Sequence, residues 1–177
     1  MRDRFPISIE LDARDIREIT YRRLLAKSTD GENQLKALFQ AKGQATIQHT
    51  RLNGTTYYKS DPASGDFVRY YPFLPQHFEI LMELIRILAR STGGIGLRSA
   101  IRVMQDILVD SSRILPADAV RLADRPIGCL ACADDFYSTL RADINKSWPN
   151  VVAGVDKVER IFGKGLHLRV AKAIGAL

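Results

Sequence analysis

The stretch Tyr70–Asp110, YYPFLPQHFEILMELIRILARSTGGIGLRSAIRVMQDILVD, decides the fold. In its first half the polar residues Gln76, Glu79, Glu83, Arg86 and Arg90 recur at alternating steps of three and four, drawing one narrow wet stripe down an otherwise apolar helix. Such a helix is mostly buried. Ser91, Thr92, Gly93, Gly94 and Gly96 supply the backbone freedom for a reversal, and Leu97, Ala100, Ile101, Met104, Ile107 and Leu108 restart the helical period. Arg98 opens that second helix, where a cation gains nothing from the helix dipole.

Upstream, FPISIEL over Phe5–Leu11 alternates apolar and polar residues and reads as a strand with one buried face, placed by Pro6 at a sheet edge or a strand start. Asp12 caps a markedly basic helix to about Lys27, with Ile16, Ile19, Leu24 and Leu25 inward. A turn at Ser28–Gly31 precedes a helix carrying Leu35, Leu38 and Phe39, which frays near Gly43 or continues towards His49. Asn53-Gly54 is a turn signal. The TTYY after it and FVRYY flank a polar loop, so Thr55–Tyr58 and Phe67–Tyr71 either pair as a hairpin or form a tethered loop. The aromatics there, beside Arg51, Lys59 and Arg69, either stack on bases or roof the helix that begins near Pro75.

Downstream, Pro116 opens a short helix through Leu122, and Ala133–Trp148 forms a longer one with Phe136, Leu140 and Ile144 inward. Val151–Phe162 and Leu166–Ala176 make two basic helices around Gly163-Lys164-Gly165. The expected fold is mainly α: a multi-helix, lid-like bundle with a small N-terminal β element, an edge strand plus the hairpin. Residues 1–72 would carry the strand, the basic helix and the hairpin, and residues 73–177 the helical bundle.

The composition suits a globular protein: 177 residues, 46% hydrophobic, 26% charged. No apolar run reaches the roughly 18 residues of a membrane helix, and MRDRFP lacks the apolar segment of a signal peptide. A cytoplasmic protein without membrane contact is expected. The net charge of +6 fits nucleic acid, nucleotide phosphates or an acidic partner. Arg22, Arg23 and Lys27 on the first helix, and Lys157, Arg160, Lys164, Arg169 and Lys172 on the last pair, are the candidate nucleic-acid contacts.

A catalytic role fails on inventory. There is no G-x-x-x-x-G-K-[ST] loop, no G-x-S-x-G, no H-E-x-x-H and no clustered histidine and carboxylate set. Asp134-Asp135 reads as a helix cap. Cys129 and Cys132 have the spacing of a thiol pair or half a zinc site, but no further ligand motif accompanies them, and buried small residues are the expected role. No catalytic residue and no metal ligand is assigned. The chain reads as a piece of something larger, because its first strand needs sheet neighbours.

The order strand, basic helix, further helices, then GIGLRSAIR resembles the end of an AAA+ ATPase core followed by its helical lid, as in the origin-recognition initiators. RFPISIEL with the following DI-x2-I, and YYPFLPQHFEIL through GLRSAIRVMQDIL, resemble the large P-loop ATPases of BREX-type bacteriophage defence systems and their relatives. The resemblance covers residues 4 to about 110. It implies that Arg98 is a sensor-2 type residue reaching the γ-phosphate of ATP, with Arg102 as the substitute. A guanidinium on a separate lobe pairs bidentately with phosphate oxygens, so closure would report the γ-phosphate. The alternative is that both are surface residues, with Arg102 pairing Asp106.

The chain departs from that family pattern in lacking a P-loop and a Walker B acid. It would therefore bind no cofactor alone, with ATP and Mg held by an upstream ATPase core in the parent. The resemblance further implies that the basic helices transmit hydrolysis to DNA or to other subunits of a defence complex. The competing expectations are a stand-alone nucleic-acid-binding helical module and a protein-interaction scaffold.

Overall fold

The computed structural model describes residues 13–92, 98–109 and 121–177. Among them the secondary structure is helical: α1 Ala13–Thr20, α2 Thr29–Thr50, α3 Ser64–Tyr70, α4 Pro75–Thr92, α5 Arg98–Leu108, α6 Ala133–Ser147, α7 Pro149–Phe162 and α8 Leu166–Ala176. A π-helical turn, Tyr21–Leu25, extends α1, and a single 3-10 turn spans Leu122–Asp124. The predicted strand Phe5–Leu11 lies outside the described residues, as does most of the helix expected to open at Pro116.

The expected hairpin is not formed. Thr55–Tyr58 lies in irregular chain, and Phe67–Tyr70 belongs to α3. Phe67 and Val68 are adjacent and both buried, which a half-buried strand does not allow because neighbouring side chains point to opposite faces. A helix seated in a slot allows it. Phe67 meets Phe39 of α2 at 5.1 Å and Tyr71 at 5.7 Å between ring centroids. With Leu35, Val68 and Leu74 they form a small apolar cluster of their own.

α2 runs through Gly43 to Thr50, and Ser28 caps it by accepting from the Gly31 N–H at 3.2 Å. A β-carbon at Gly43 would stand 3.1 Å from the Phe39 ring, so glycine leaves that ring its place.

The main core is organised on α4. Phe78, Leu81, Leu84, Ile85 and Leu88 are buried, and the predicted polar stripe lies along the other side, with Arg86 paired to Glu83 and Arg90 exposed. Gln76, at the buried end of that stripe, donates to the Thr50 carbonyl at 3.2 Å. Ile16 and Leu25, Ala100, Val103, Met104, Ile107 and Leu108 of α5, Phe136, Tyr137, Leu140 and Ile144 of α6, and Val152, Val155, Leu168 and Ala176 of α7 and α8 join the same core. The 125–132 segment is tied to the turn before α4: the Gly128 N–H donates to the Tyr71 hydroxyl at 2.8 Å, and the Ala131 N–H to the Pro72 carbonyl at 2.9 Å. No helix among the described residues is long and apolar enough to cross a membrane.

Candidate functional site

α5 begins at Arg98, the residue expected to open it. Ala100, Val103, Met104, Ile107 and Leu108 fix one side of this helix in the core. Arg102, one turn beyond Arg98, is exposed and forms no ion pair with a described residue, Asp106 included. The local pairing that would have made it an ordinary surface residue is therefore not made. α5 carries no acid in its first turn and no base in its last, so its arginines oppose the helix dipole instead of complementing it. The positive end of a helix and a guanidinium that no described residue neutralises together favour an anion such as a phosphate.

The cations of the first helix are placed differently. Arg17 pairs with Glu79 of α4, which also takes Lys59 at 3.2 Å. Glu18 holds Arg22 at 2.6 Å and also pairs with Arg69, and its carboxyl lies below the usual range, first through the hydrogen bond from Arg22. The Arg69 guanidinium sits 4.6 Å from the Tyr21 ring centroid. Lys27 is drawn inward, donating from Nζ to the Arg69 carbonyl at 3.0 Å, and burial pushes its pKa down to about 8. Arg23 is exposed. The nearby aromatics roof α4, as the edge-to-face contact of Tyr70 with Phe78 at 5.1 Å illustrates, while Tyr57 and Tyr58 line a small cavity of about 160 Å³ beside Arg17 and Glu79.

On the C-terminal helices, Lys157, Arg160 and Lys164 are exposed and form no ion pair with a described residue. Arg169 grips Asp134 from Nε at 2.9 Å, and Lys172 donates to the Ser138 hydroxyl at 3.2 Å. These four charged and polar groups, with Arg125, Asp135, Glu159 and Lys164, line a groove of about 600 Å³ between α6, α8 and the 163–165 turn. Carboxylates stand in it opposite cations, so it is bipolar and not a positive track for a nucleic-acid backbone.

Cys129 and Cys132 are half-buried and form no disulfide. Ligand atoms of Cys132, Asp134 and Asp135 lie within 4.8 Å of one another. Capping explains that proximity: the Cys132 N–H donates to Asp135 Oδ2 at 2.8 Å, closing a capping box on α6, while Asp134 is held by Arg169. Burial raises both the Asp135 carboxyl and the Cys132 thiol above their ordinary ranges.

One feature of the surface was not read from the sequence: the outward side of α8 is apolar. Leu166, Val170 and Ile174, at four-residue spacing, are 72%, 49% and 70% exposed. The available signal was that α8 is apolar on two opposite sides, with Leu168 and Ala176 on the buried one.

No solved structure matches the chain. A family model described as the second domain of the BREX system ATPase PglY protein matches residues 17–125, well over half of the 177. The match contains the second half of α1 and all of α2 to α5 with Arg98 and Arg102, and it ends before α6. The chain therefore belongs to the family of BREX system ATPase PglY second domains.

Proposed function

We propose that this chain is a non-catalytic helical lid of a P-loop ATPase, acting in the cytoplasm, that closes over ATP and Mg held by an upstream core and brings Arg98 and Arg102 to the nucleotide phosphates. The observation that carries this reading is the exposed Arg102, which pairs with no described residue and stands on a helix whose other side is locked in the core. Family membership supports an accessory domain of a phage-defence ATPase. Closure would then move the bundle as one body and pass hydrolysis on to DNA or to partner subunits.

The test is ATP turnover by the complete ATPase. Arg98→Ala and Arg102→Ala lower kcat by about tenfold or more, as loss of a charge-assisted contact to a transferring phosphate does. Unchanged turnover in both variants overturns the lid. Calorimetry of the 177-residue chain with ATP should give no heat of binding, and micromolar binding would overturn the assignment of the phosphate site to the upstream core.

A further inference from the structure

We infer that the cavity between the 51–62 segment and the start of α4 receives the base of an unpaired pyrimidine nucleotide in a single strand of nucleic acid. The cavity measures about 160 Å³, and Tyr57, Tyr58, Tyr70, Gln76, Glu79 and Arg17 stand in its wall. Long-range contacts fix its shape. Lys59 reaches Glu79 at 3.2 Å, the Tyr58 hydroxyl donates to Asp61 at 2.8 Å, Arg51 pairs with the same carboxylate, and Gln76 donates to the Thr50 carbonyl. A segment without regular secondary structure is thereby pinned over the start of α4, with Tyr57 and Tyr58 half-buried in it.

The lining selects the ligand. Three tyrosines offer ring surface, which favours a flat ring. Gln76, only 4% exposed, and the carboxylates of Glu79 and Asp66 are hydrogen-bonding groups that a hydrocarbon would leave unsatisfied. A cation such as a methylated ammonium is disfavoured, because Glu79 already holds both Arg17 and Lys59. An anion inside the cavity would face two carboxylates. A neutral ring with polar edges satisfies every one of these groups, and the heterocyclic bases have that chemistry. Size narrows the choice: 160 Å³ is about five waters' share of the liquid, enough for one six-membered ring with its substituents and too little for a fused purine. The sugar and phosphate stay outside, where Lys59, 71% exposed, is placed to meet the phosphate. A base paired in a duplex cannot enter.

The test measures the fluorescence anisotropy of labelled single strands of roughly ten nucleotides as the 177-residue chain is added. Oligothymidine and oligouridine present the same ring. At least one of them should bind with a micromolar Kd at low salt, about tenfold tighter than oligodeoxyadenosine, and the tighter of the two identifies the strand as DNA or RNA. Tyr58 also holds Asp61, so Tyr57 is the position to change. Tyr57→Ala should weaken binding by roughly five- to a hundredfold, and Tyr57→Phe should leave it intact, as stacking requires. Lys59→Ala should lower the salt slope by about one. If Tyr57→Ala loses its helicity by circular dichroism, the base preference and the Lys59→Ala slope decide. Binding of neither pyrimidine strand at roughly 100 µM, equal binding of the adenosine strand, an unchanged salt slope in Lys59→Ala, or binding indifferent to Tyr57→Ala overturns the proposal. Excess ATP and the Arg102→Ala change both leave strand binding unaltered, so failure here and failure of the lid are separate results.

Discussion

Gly175 of α8 lies against Tyr137 of α6 so closely that a β-carbon at 175 would stand 2.9 Å from the ring's Cε2. Tyr137 is fully buried and Val151 closes the other side, so the ring does not yield easily. Alanine normally gains about 1 kcal/mol over glycine inside a helix, but overpacking of this kind costs about 1–3 kcal/mol. Gly175→Ala should therefore lower stability in urea, whereas Gly154→Ala on α7, with nothing within 4 Å, should raise it by about 0.5–1 kcal/mol. The same contact predicts a gain at Tyr137 itself. Its buried hydroxyl has no hydrogen-bond partner among the described residues, and Tyr137→Phe should be neutral or stabilise by up to about 1 kcal/mol.

His77 makes the bundle sensitive to acid. Its Nδ1 accepts the Leu74 N–H at 3.1 Å at the start of α4, and the ring stands edge-on to Phe73 and Phe136. Burial pushes its pKa down to about 4 from 6.5. The unfolded chain takes up a proton near 6.5 and the folded chain only near 4, so the stabilisation is complete above the unfolded value and is lost as pH falls through that window. The loss amounts to roughly 3 kcal/mol at most. Gln at this third helical position keeps an acceptor for the Leu74 N–H without titrating. His77→Gln should match the native protein at pH 7 and flatten the decline in urea titrations; an unchanged acid slope would assign it to the carboxylates.

Lys27 acts at the other end of the scale. With a folded pKa of about 8 against 10.5 unfolded, set by burial, the folded chain releases its proton first. The cost of burying the ammonium is present below pH 8 and is relieved as pH rises towards 10.5, so this residue makes stability increase over that range. Comparison with Lys27→Met isolates the effect. The difference in unfolding free energy, native minus variant, should rise between pH 8 and 10.5, and a flat difference would place the ammonium in water.

Helices α4 to α6 were legible because each buries one face and turns a different chemistry outward, and α7 and α8 because a glycine turn separates them; the polar stripe of α4 alone fixed its orientation. α3 was not. FVRYY is rich in residues favoured in strands, and only the slot formed by Leu35, Phe39 and Leu74 makes both Phe67 and Val68 inward-facing. The fate of the cations was equally hidden. Sequence spacing foretells pairs three or four residues apart, whereas Arg17 meets Glu79 at a separation of 62 and Arg169 meets Asp134 at 35. These long-range pairs decide which basic residues remain free for a partner. They consume Arg17, Arg69 and Arg169 and leave Arg23, Lys157, Arg160 and Lys164 at the surface.

At Arg102 the spacing to Asp106 promised a pair, and none forms between them. If its guanidinium has no role within the fold, Arg102→Ala and Asp106→Asn should each change unfolding free energy by less than about 0.5 kcal/mol, and a double-mutant cycle should return a coupling near zero. Ala100, two residues earlier and fully buried, supplies the contrast: Ala100→Leu should cost about 1–3 kcal/mol through overpacking. A measurable Arg102–Asp106 coupling would return the arginine to the ordinary surface. A null coupling, combined with a fall in turnover of the complete ATPase, would mean that the group acts on something outside this bundle, because a residue that contributes nothing to folding can lower a rate only through what it touches during the reaction.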